Sequence, residues 1–462
     1  MIKTALQLVS CSLYFVLPAG LFAQAENSPN DLLGDLDRYV AQLEAMEMDS
    51  GRYDQSLVEP LTLIAQSAME LDQFDNAAVA LDRAIQISRI NEGLYTKTQY
   101  PLLTLQVEND ARRSNWKEAN KTLEHLYWLY TDKHQGITEN VVYELLRLSN
   151  FHIEAVAADE YELQSYHFRS AANISWVALR VARLLWGEHD ARLVPLQYNL
   201  VKQYYLQAVA IDRGGQTGYE LREVVPGSTW VRTRQEVNRA LHRTGTRLLR
   251  DMQSVYQQAD SADPQAAAMA ELYLADWQLL FTRQSAADNY QQAYASLASS
   301  GIADSELQNF FAVPLLLPEQ EFYPSIELAM AARKNSNRVS LNTASEPAEG
   351  IVRFNEWAAS FPDVEFPLGV ANIRFSNRQD WGFAMVSFSL GGLEKVSRWV
   401  NGRYVTRISV PETVEILSQH PEPSLEIKGF TEKMHYVHFR PRLINGIAEP
   451  ASGTLQYLFS NN

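Results

Sequence analysis

Two histidines spaced His435-x-x-His438 come closest to a metal or acid–base pair in this chain. They fall in a stretch that reads as a β-strand. Residues three apart on a strand point to opposite faces, so the two rings cannot chelate one ion. The other histidines, among them His125, His134 and His189, are scattered along helical segments without ligand spacing. Asp159-Glu160-Tyr161-Glu162 is an acidic run of the kind that usually faces water. No Gly-x-Ser-x-Gly, His-Glu-x-x-His or phosphate-loop pattern occurs. These residues point to no catalytic site, no metal and no cofactor, and the chain reads as a protein that is not an enzyme. Leu126-Tyr127-Trp128-Leu129-Tyr130 suggests recognition instead. Five consecutive large residues cannot all face the core from one helix. Two readings stand: they pack in the core and on a neighbouring element, or Tyr127, Trp128 and Tyr130 line a groove that takes a peptide.

The elements that would position such a surface are helical. From about Asp31 to Lys334 apolar residues recur with a period near 3.6. Leu61, Ile64, Ala65 and Ala68 share one helix face. After Leu71-Asp72-Gln73, Phe74, Ala77, Leu81 and Ala84 share a face of the next helix. Helices joined this tightly pack antiparallel, and Ala65, Ala77 and Ala84 supply the small residues of a close approach. The pattern of turn aromatic and helix alanines resembles the tetratricopeptide repeat. Trp116, Ala119 and Leu123 repeat it one unit on, with Leu126 in place of the last alanine. Ala286, Tyr290 and Ala293, after Ala275-Asp276-Trp277, are a further copy. Independently of that resemblance, Ala84 to Ile90, Gly93 and Pro101-Leu102 align without a gap on Ala178 to Leu184, Gly187 and Pro195-Leu196, at an offset of 94. Each copy is a helix end, a glycine that can terminate it, a loop, and a proline that can open the next helix. The offset suggests two repeats of about 45 residues, with His134-Gln135-Gly136 marking the copy between. The predicted fold class is a TPR-like α-solenoid followed by a small α+β domain with an antiparallel sheet.

Residues 1–25 read as an export signal: Lys3, an apolar run from Ala5 to Leu17, breaks at Pro18 and Gly20, and the small-x-small site Ala23-Gln24-Ala25. The single cysteine, Cys11, lies inside it; Leu8-Val9-Ser10-Cys11 looks like the box before a lipidated cysteine, but the apolar run ahead of it is very short. A chain cut after Ala25 has no disulfide and no thiol chemistry, which fits a bacterial periplasm. A retained, membrane-anchored segment facing the periplasm is the alternative. The full chain has 40 Lys+Arg and 55 Asp+Glu, a net charge of −15. Residues 351–462 are balanced, with 11 of each sign, so residues 26–350 carry the whole excess, 28 basic against 44 acidic. That acidity disfavours nucleic acid and anionic lipid as partners, and leaves a membrane role only at the periphery or through a partner.

Phe310-Phe311, Pro314 to Pro318 and Phe322-Tyr323-Pro324 read as a packed aromatic cap on the last helices. Asn335 to Gly350 reads as a linker between a helical domain over 26–334 and a second domain over 351–462. In the latter the period becomes two. Ala384, Val386, Phe388 and Leu390 alternate with polar residues. Gly391-Gly392 then turns the chain into a return strand with Leu393, Val396 and Val400, and Pro411 to Gln419 reads as a short helix. Phe439-Arg440-Pro441 reads as a strand and a break, Asn445-Gly446 as a turn, and Leu455, Tyr457 and Phe459 as a last strand.

Val386, Phe388 and Leu390 before the glycine turn, Phe439-Arg440-Pro441, Asn445-Gly446 and the closing Leu455, Tyr457 and Phe459 together resemble the TonB C-terminal domain over about Trp381 to Phe459. His420-Pro421-Glu422-Pro423 and an apparent strand from Ser424 to Gly429 depart from that pattern. The resemblance implies binding by strand addition to a partner peptide. Thr454, Gln456 and Leu458 would then face out along the usable edge while Leu455, Tyr457 and Phe459 pack inward; otherwise the last strand simply closes the sheet. The sequence therefore predicts a periplasmic scaffold that binds proteins of the cell envelope, an outer-membrane protein among the candidates. The alternative is a TonB-family energy-transducer-like component of outer-membrane transport.

Overall fold

The computed structural model describes residues 29–132, 136–160, 163–213, 234–258, 262–282, 285–319, 321–336, 351–353, 381–400, 403–420, 434–435 and 437–460. The expected export signal with Cys11, the departure from Pro421 to Gly429, and all of the expected linker except Asn335 and Ser336 lie outside them. The described residues hold thirteen α-helices, followed by short, mostly antiparallel sheets towards the C-terminus. None of the helices is long and apolar enough to cross a membrane. Two compact units are formed, residues 1–122 and 123–462.

In the first unit α1 (Pro29–Ser50), α2 (Val58–Glu70), α3 (Phe74–Glu92) and α4 (Gln99–Arg112) each pack on the next. The stripe anticipated from spacing is the buried one: Leu61, Ile64, Ala65 and Ala68 on α2, and Ala77, Leu81 and Ala84 on α3. At α5 (Trp116–Thr131), Trp116, Ala119, Leu123 and Leu126 are likewise buried. The helix junctions repeat. After α2 the Gln73 amide donates to the Ala68 carbonyl at 2.8 Å around Asp72, whose φ is +57°; after α4 the Asn115 amide donates to Asp110 at 2.8 Å around Ser114, φ +58°. Both are left-handed helix stops of one design.

The second unit continues with α6 (Glu139–Ala158), α7 (Gln164–Trp186), α8 (Leu193–Arg213), α9 (Arg234–Gln258), α10 (Pro264–Leu280) and α11 (Ala286–Ser299), again packed in order. Thr282, at φ +55°, makes the same left-handed stop after α10. The 94-residue offset holds in the backbone. Gly93 and Gly187 end α3 and α7 at φ +103° and +94°, donating to the carbonyls of Arg89 and Arg183, and α4 and α8 start at Gln99 and Leu193. Ala84 and Ala178 are both fully buried. Gly136, inside the stretch anticipated as the intermediate copy, has φ +73°.

After α12 (Asp304–Phe310) the aromatic stretch does cap the helices, with Phe310, Phe311 and Phe322 buried. It also supplies a strand, β1 (Leu315–Leu317), before α13 (Ile326–Ser336). The remaining strands are β2 (Ile351–Arg353), β3 (Trp381–Leu390), β4 (Lys395–Val400), β5 (Arg403–Ile408), β6 (Thr413–His420), β7 (His438–Arg440), β8 (Arg442–Ile444), β9 (Ile447–Glu449) and β10 (Ala451–Ser460).

Three expectations fail in this region. The stretch expected as a helix over Pro411 to Gln419 is strand β6: Thr413, Val414 and Ile416 are β-branched and pair with Ser389, Phe388 and Val386, and that cross-strand packing outweighs a Pro-Glu helix-start signal. The Gly391-Gly392 turn does not fold β4 back on β3. Both flanks of β3 are taken, by β10 and β6, so β4 pairs with β5 instead. The left-handed residue of the turn is Gly392, at φ +69°. Finally, the C-terminal strands do not form one sheet of their own. β7 pairs antiparallel with β1 of the helical cap. The β8–β9 hairpin turns at Asn445 and Gly446, both left-handed as Asn-Gly predicts. Its tip reaches α11, where Gly446 leaves room for Tyr294.

Helices α9 and α10 approach closely at Gly245. A Cβ at Gly245 would meet the Trp277 ring at 2.1 Å. That ring is fully buried, and its Nε1 donates to the His242 carbonyl at 3.0 Å, so it cannot swing aside. Alanine favours a helix over glycine by about 1 kcal/mol, whereas overpacking costs about 1–3 kcal/mol. With the methyl placed inside the ring the second term wins, and Gly245→Ala should lose about 2 kcal/mol in urea unfolding. An unchanged or raised midpoint would mean that α9 and α10 are not packed this closely.

Candidate functional site

Among the described residues a buried charged cluster is built around Arg440 of β7. Its Nε donates to Asp276 Oδ1 at 3.0 Å and its Nη2 to Asp276 Oδ2 at 2.5 Å and to Glu319 Oε1 at 2.7 Å. Arg440 is 2% exposed, and Asp276 and Glu319 are also buried. Asp276 comes from α10, and Glu319 follows β1. Arg333 of α13 stacks over Phe310 and lies 3.9 Å from Glu319. Three phenols complete the shell. Tyr290 donates to Asp276 at 2.8 Å, Tyr198 to the Glu319 carbonyl at 2.7 Å and Tyr273 to the Glu321 carbonyl at 2.8 Å.

Burial pushes the Asp276 carboxyl up and Arg440 draws it back, while burial opposes the Arg440 charge and the two carboxylates outweigh it, holding its pKa well above the usual value. The bidentate geometry is that of an ionised pair. Beside it a cavity of about 10 Å³, lined by Tyr198, Lys202, Tyr273, Asp276 and Glu319 among others, has room for one water molecule. Burial lowers the Lys202 ammonium to about 8. Two arginines face two carboxylates in a buried cluster, and this centre clamps β7 onto the helices.

A second buried polar centre joins α6 to α7. His152 and His167 share a hydrogen bond between their Nδ1 atoms at 3.0 Å, and His167 Nε2 meets Asp159 Oδ2 at 2.9 Å. Tyr166 packs edge-on against His152 and donates to Glu124 of α5 at 2.9 Å. One turn away Gln203 donates to Ser149 and Ser175, tying α8 to the same hairpin. Sequence spacing gave no sign of this centre, because its members are fifteen residues apart and meet only when two helices fold together. Nor does the whole acidic run face water: the Asp159 side chain is 4% exposed, because it is the acceptor for His167.

The pair singled out by spacing, His435 and His438, is buried. His435 lies in a turn before β7, not on the strand. Its Nε2 donates to the Val405 carbonyl at 2.9 Å, and the His438 Nδ1 to that of Ile408 at 2.9 Å, so both rings pin β5. Among the described residues, no group of three or more His, Cys, Asp or Glu is arranged to hold a metal.

The anticipated contact residues divide. Leu126, Leu129 and Tyr130 are core, and the Tyr130 hydroxyl donates to Glu144 at 3.0 Å. Trp128 is 47% exposed and stacks on His125; Tyr127 is half-buried. Thr454, Gln456 and Leu458 lie on β10, which is an inner strand in the order β2-β10-β3-β6. Thr454 and Gln456 pair with Ile351 and Arg353 of β2, so the backbone edge expected there is filled over those residues. The ends of the sheet are β2 and β6.

No family model and no curated protein matches the sequence. Among solved structures the chain is similar to the crystal structure of BtubC (BKLC) from P. vanneervenii, at 13% identity and a TM-score of 0.35 over 71% of this chain and 99% of that one.

Removing one partner of a buried ion pair leaves the others uncompensated, at a cost of about 3–5 kcal/mol. Arg440→Met should therefore unfold at much lower urea, while Arg440→Met combined with Asp276→Leu should lose clearly less than the two single changes added. Additive losses would show that the two side chains do not interact.

The buried imidazoles set a pH response. Burial lowers His152 and His438 from 6.5 to about 3. Between those values the unfolded chain binds protons that the folded chain refuses. Stability is thus complete above pH 6.5 and falls as the pH drops, by up to about 1.4 kcal/mol per pH unit for each such group. Urea midpoints measured from pH 7.5 to 5 should fall, and His438→Asn, which keeps a donor for Ile408, should flatten the slope. A slope unchanged by that substitution would assign the response elsewhere.

Proposed function

We propose that this protein works by contact alone, as a scaffold of the bacterial cell envelope in which stacked, TPR-like helix pairs present one binding surface and the C-terminal strands another. The observation that carries this reading is the recurrence of the helix junctions. Asp72, Ser114 and Thr282 make the same left-handed stop, and Gly93 and Gly187 make the same exit 94 residues apart. Repeated junctions of one geometry support a solenoid-like stack, whose surface is a repeated set of side-chain positions. One such position is apolar and open to solvent in both copies: Ile90 is 57% exposed and Leu184 is 73% exposed. The scaffold reading takes these recurring exposed apolar positions as contact points.

On the C-terminal side the resemblance to the TonB C-terminal domain supports binding by strand addition. With β10 inside the sheet, we assign that role to the outer side of β6, along which no strand is paired among the described residues. Location in the periplasm, after removal of residues 1–25, remains part of the same proposal.

Tagged full-length chain should retain partner proteins from detergent-solubilised envelopes, with a mature N-terminus at Glu26. Substituting Ile90→Glu and Leu184→Glu together should reduce the retained set while circular dichroism stays unchanged. Recovery of no stable partner under several detergents would overturn the scaffold reading.

A further inference from the structure

Helix α9 departs from the acidity of the rest of the helical part. It carries five arginines against two acidic residues. Four of them, Arg239, Arg243, Arg247 and Arg250, are spaced by four, four and three, which gathers them within about 80° of the helix circumference at 100° per residue. The buried residues of the same helix, Val237, Leu241, Leu248, Met252 and Val255, occupy the opposite side. All four arginines are exposed, and none takes an ion pair or hydrogen bond with a described residue. Asp251 lies within electrostatic reach of Arg247, but its ion pair is with Arg183 of α7 at 3.9 Å.

Like charges four apart weaken a helix. Residues 26–350 have sixteen more acidic than basic residues, yet among the described residues no carboxylate forms an ion pair with this row. Near the C-terminal end of α7, Arg183 reaches Asp251 of α9, and the next residue of α7, Leu184, is exposed. From these observations we infer that the α9 arginine row is a docking surface for an acidic, helical protein segment, whose carboxylates at i and i+4 match the arginines and whose apolar residue meets Leu184. This rests on the scaffold reading and names the class of partner it takes. Charge complementarity selects the occupant. Arginine forks bind carboxylates in pairs, and an exposed leucine on the neighbouring α7 suits a folded segment better than a phosphate polymer. The overall charge of −15 repels extended polyanions, whereas a short acidic helix meets chiefly the local field.

The test uses the full chain and a fluorescein-labelled synthetic helical peptide of about 20 residues, with glutamates four apart and one leucine near its end. Fluorescence anisotropy should show binding that weakens as salt rises. Arg243→Glu with Arg247→Glu should weaken it about tenfold or more, Arg243→Lys with Arg247→Lys by less, and Leu184→Ser measurably. Circular dichroism and urea midpoints near wild type certify that the variants are folded. Equal affinity of wild type and the glutamate variant for the peptide, or no peptide binding at all, overturns the inference. So does preferential binding of phosphatidylglycerol vesicles or of a single-stranded oligonucleotide. Envelope partners captured equally by the glutamate variant would sink this assignment and leave the scaffold standing; peptide binding without any captured partner would do the reverse.

Discussion

The pairing of Arg440 with Asp276 and Glu319 is the constraint on which the second unit depends. It joins residues 164 and 121 positions apart, and between Asp276 and Arg440 the described chain makes three further helices, α11 to α13, and six strands, β1 to β6. A buried ion network contributes little net stability when intact and costs heavily when incomplete. Its effect is therefore selective. β7 can sit on β1 and α10 in one register only, since a shift by one residue would turn Arg440 away from both carboxylates. The adjacent Phe439 stacks on Phe388 of β3 at 4.6 Å between ring centroids, so the same strand that is clamped to the helices also anchors the sheet.

The helical part was legible because its information is local. Small residues at Ala65, Ala77, Ala84 and Ala178 mark where helices touch, and glycine at 93 and 187 marks where they stop; both depend on a few neighbouring residues and repeat in sequence as in space. The C-terminal part was legible strand by strand and not in its pairing. Alternation located β3, and Asn-Gly located the β8–β9 turn. Nothing local to Gly391-Gly392 reveals that β3 already has partners from β6 and from β10, some 60 residues ahead. Pairing between distant strands is decided by burial of whole faces, which short windows do not contain.

The buried polar centres were invisible for the same reason. His152 and His167 looked like isolated histidines on two helices, and Asp159 like part of a solvated run. Folding the α6–α7 hairpin turns them into a chain of hydrogen bonds. The histidine pair that spacing did single out proved to be two separate backbone anchors. Proximity in sequence is a poor guide to a polar cluster unless an element's own periodicity brings its members together.

Helix α9 is the converse case, where periodicity alone suffices and averaging conceals it. Net charge treats the surface as one sphere, and by that measure the helical part should repel every anion. An α-helix instead sorts charges by angle. Arginines at 239, 243, 247 and 250 add up on one side, while the acids that give the chain its sign lie on other elements. At ordinary ionic strength charges separated by more than about 8–10 Å are largely screened. A segment lying along α9 therefore feels the row before it feels the total. What a surface can bind is decided at the scale of a helix face, so an acidic protein can carry a docking strip for an acidic partner without contradiction.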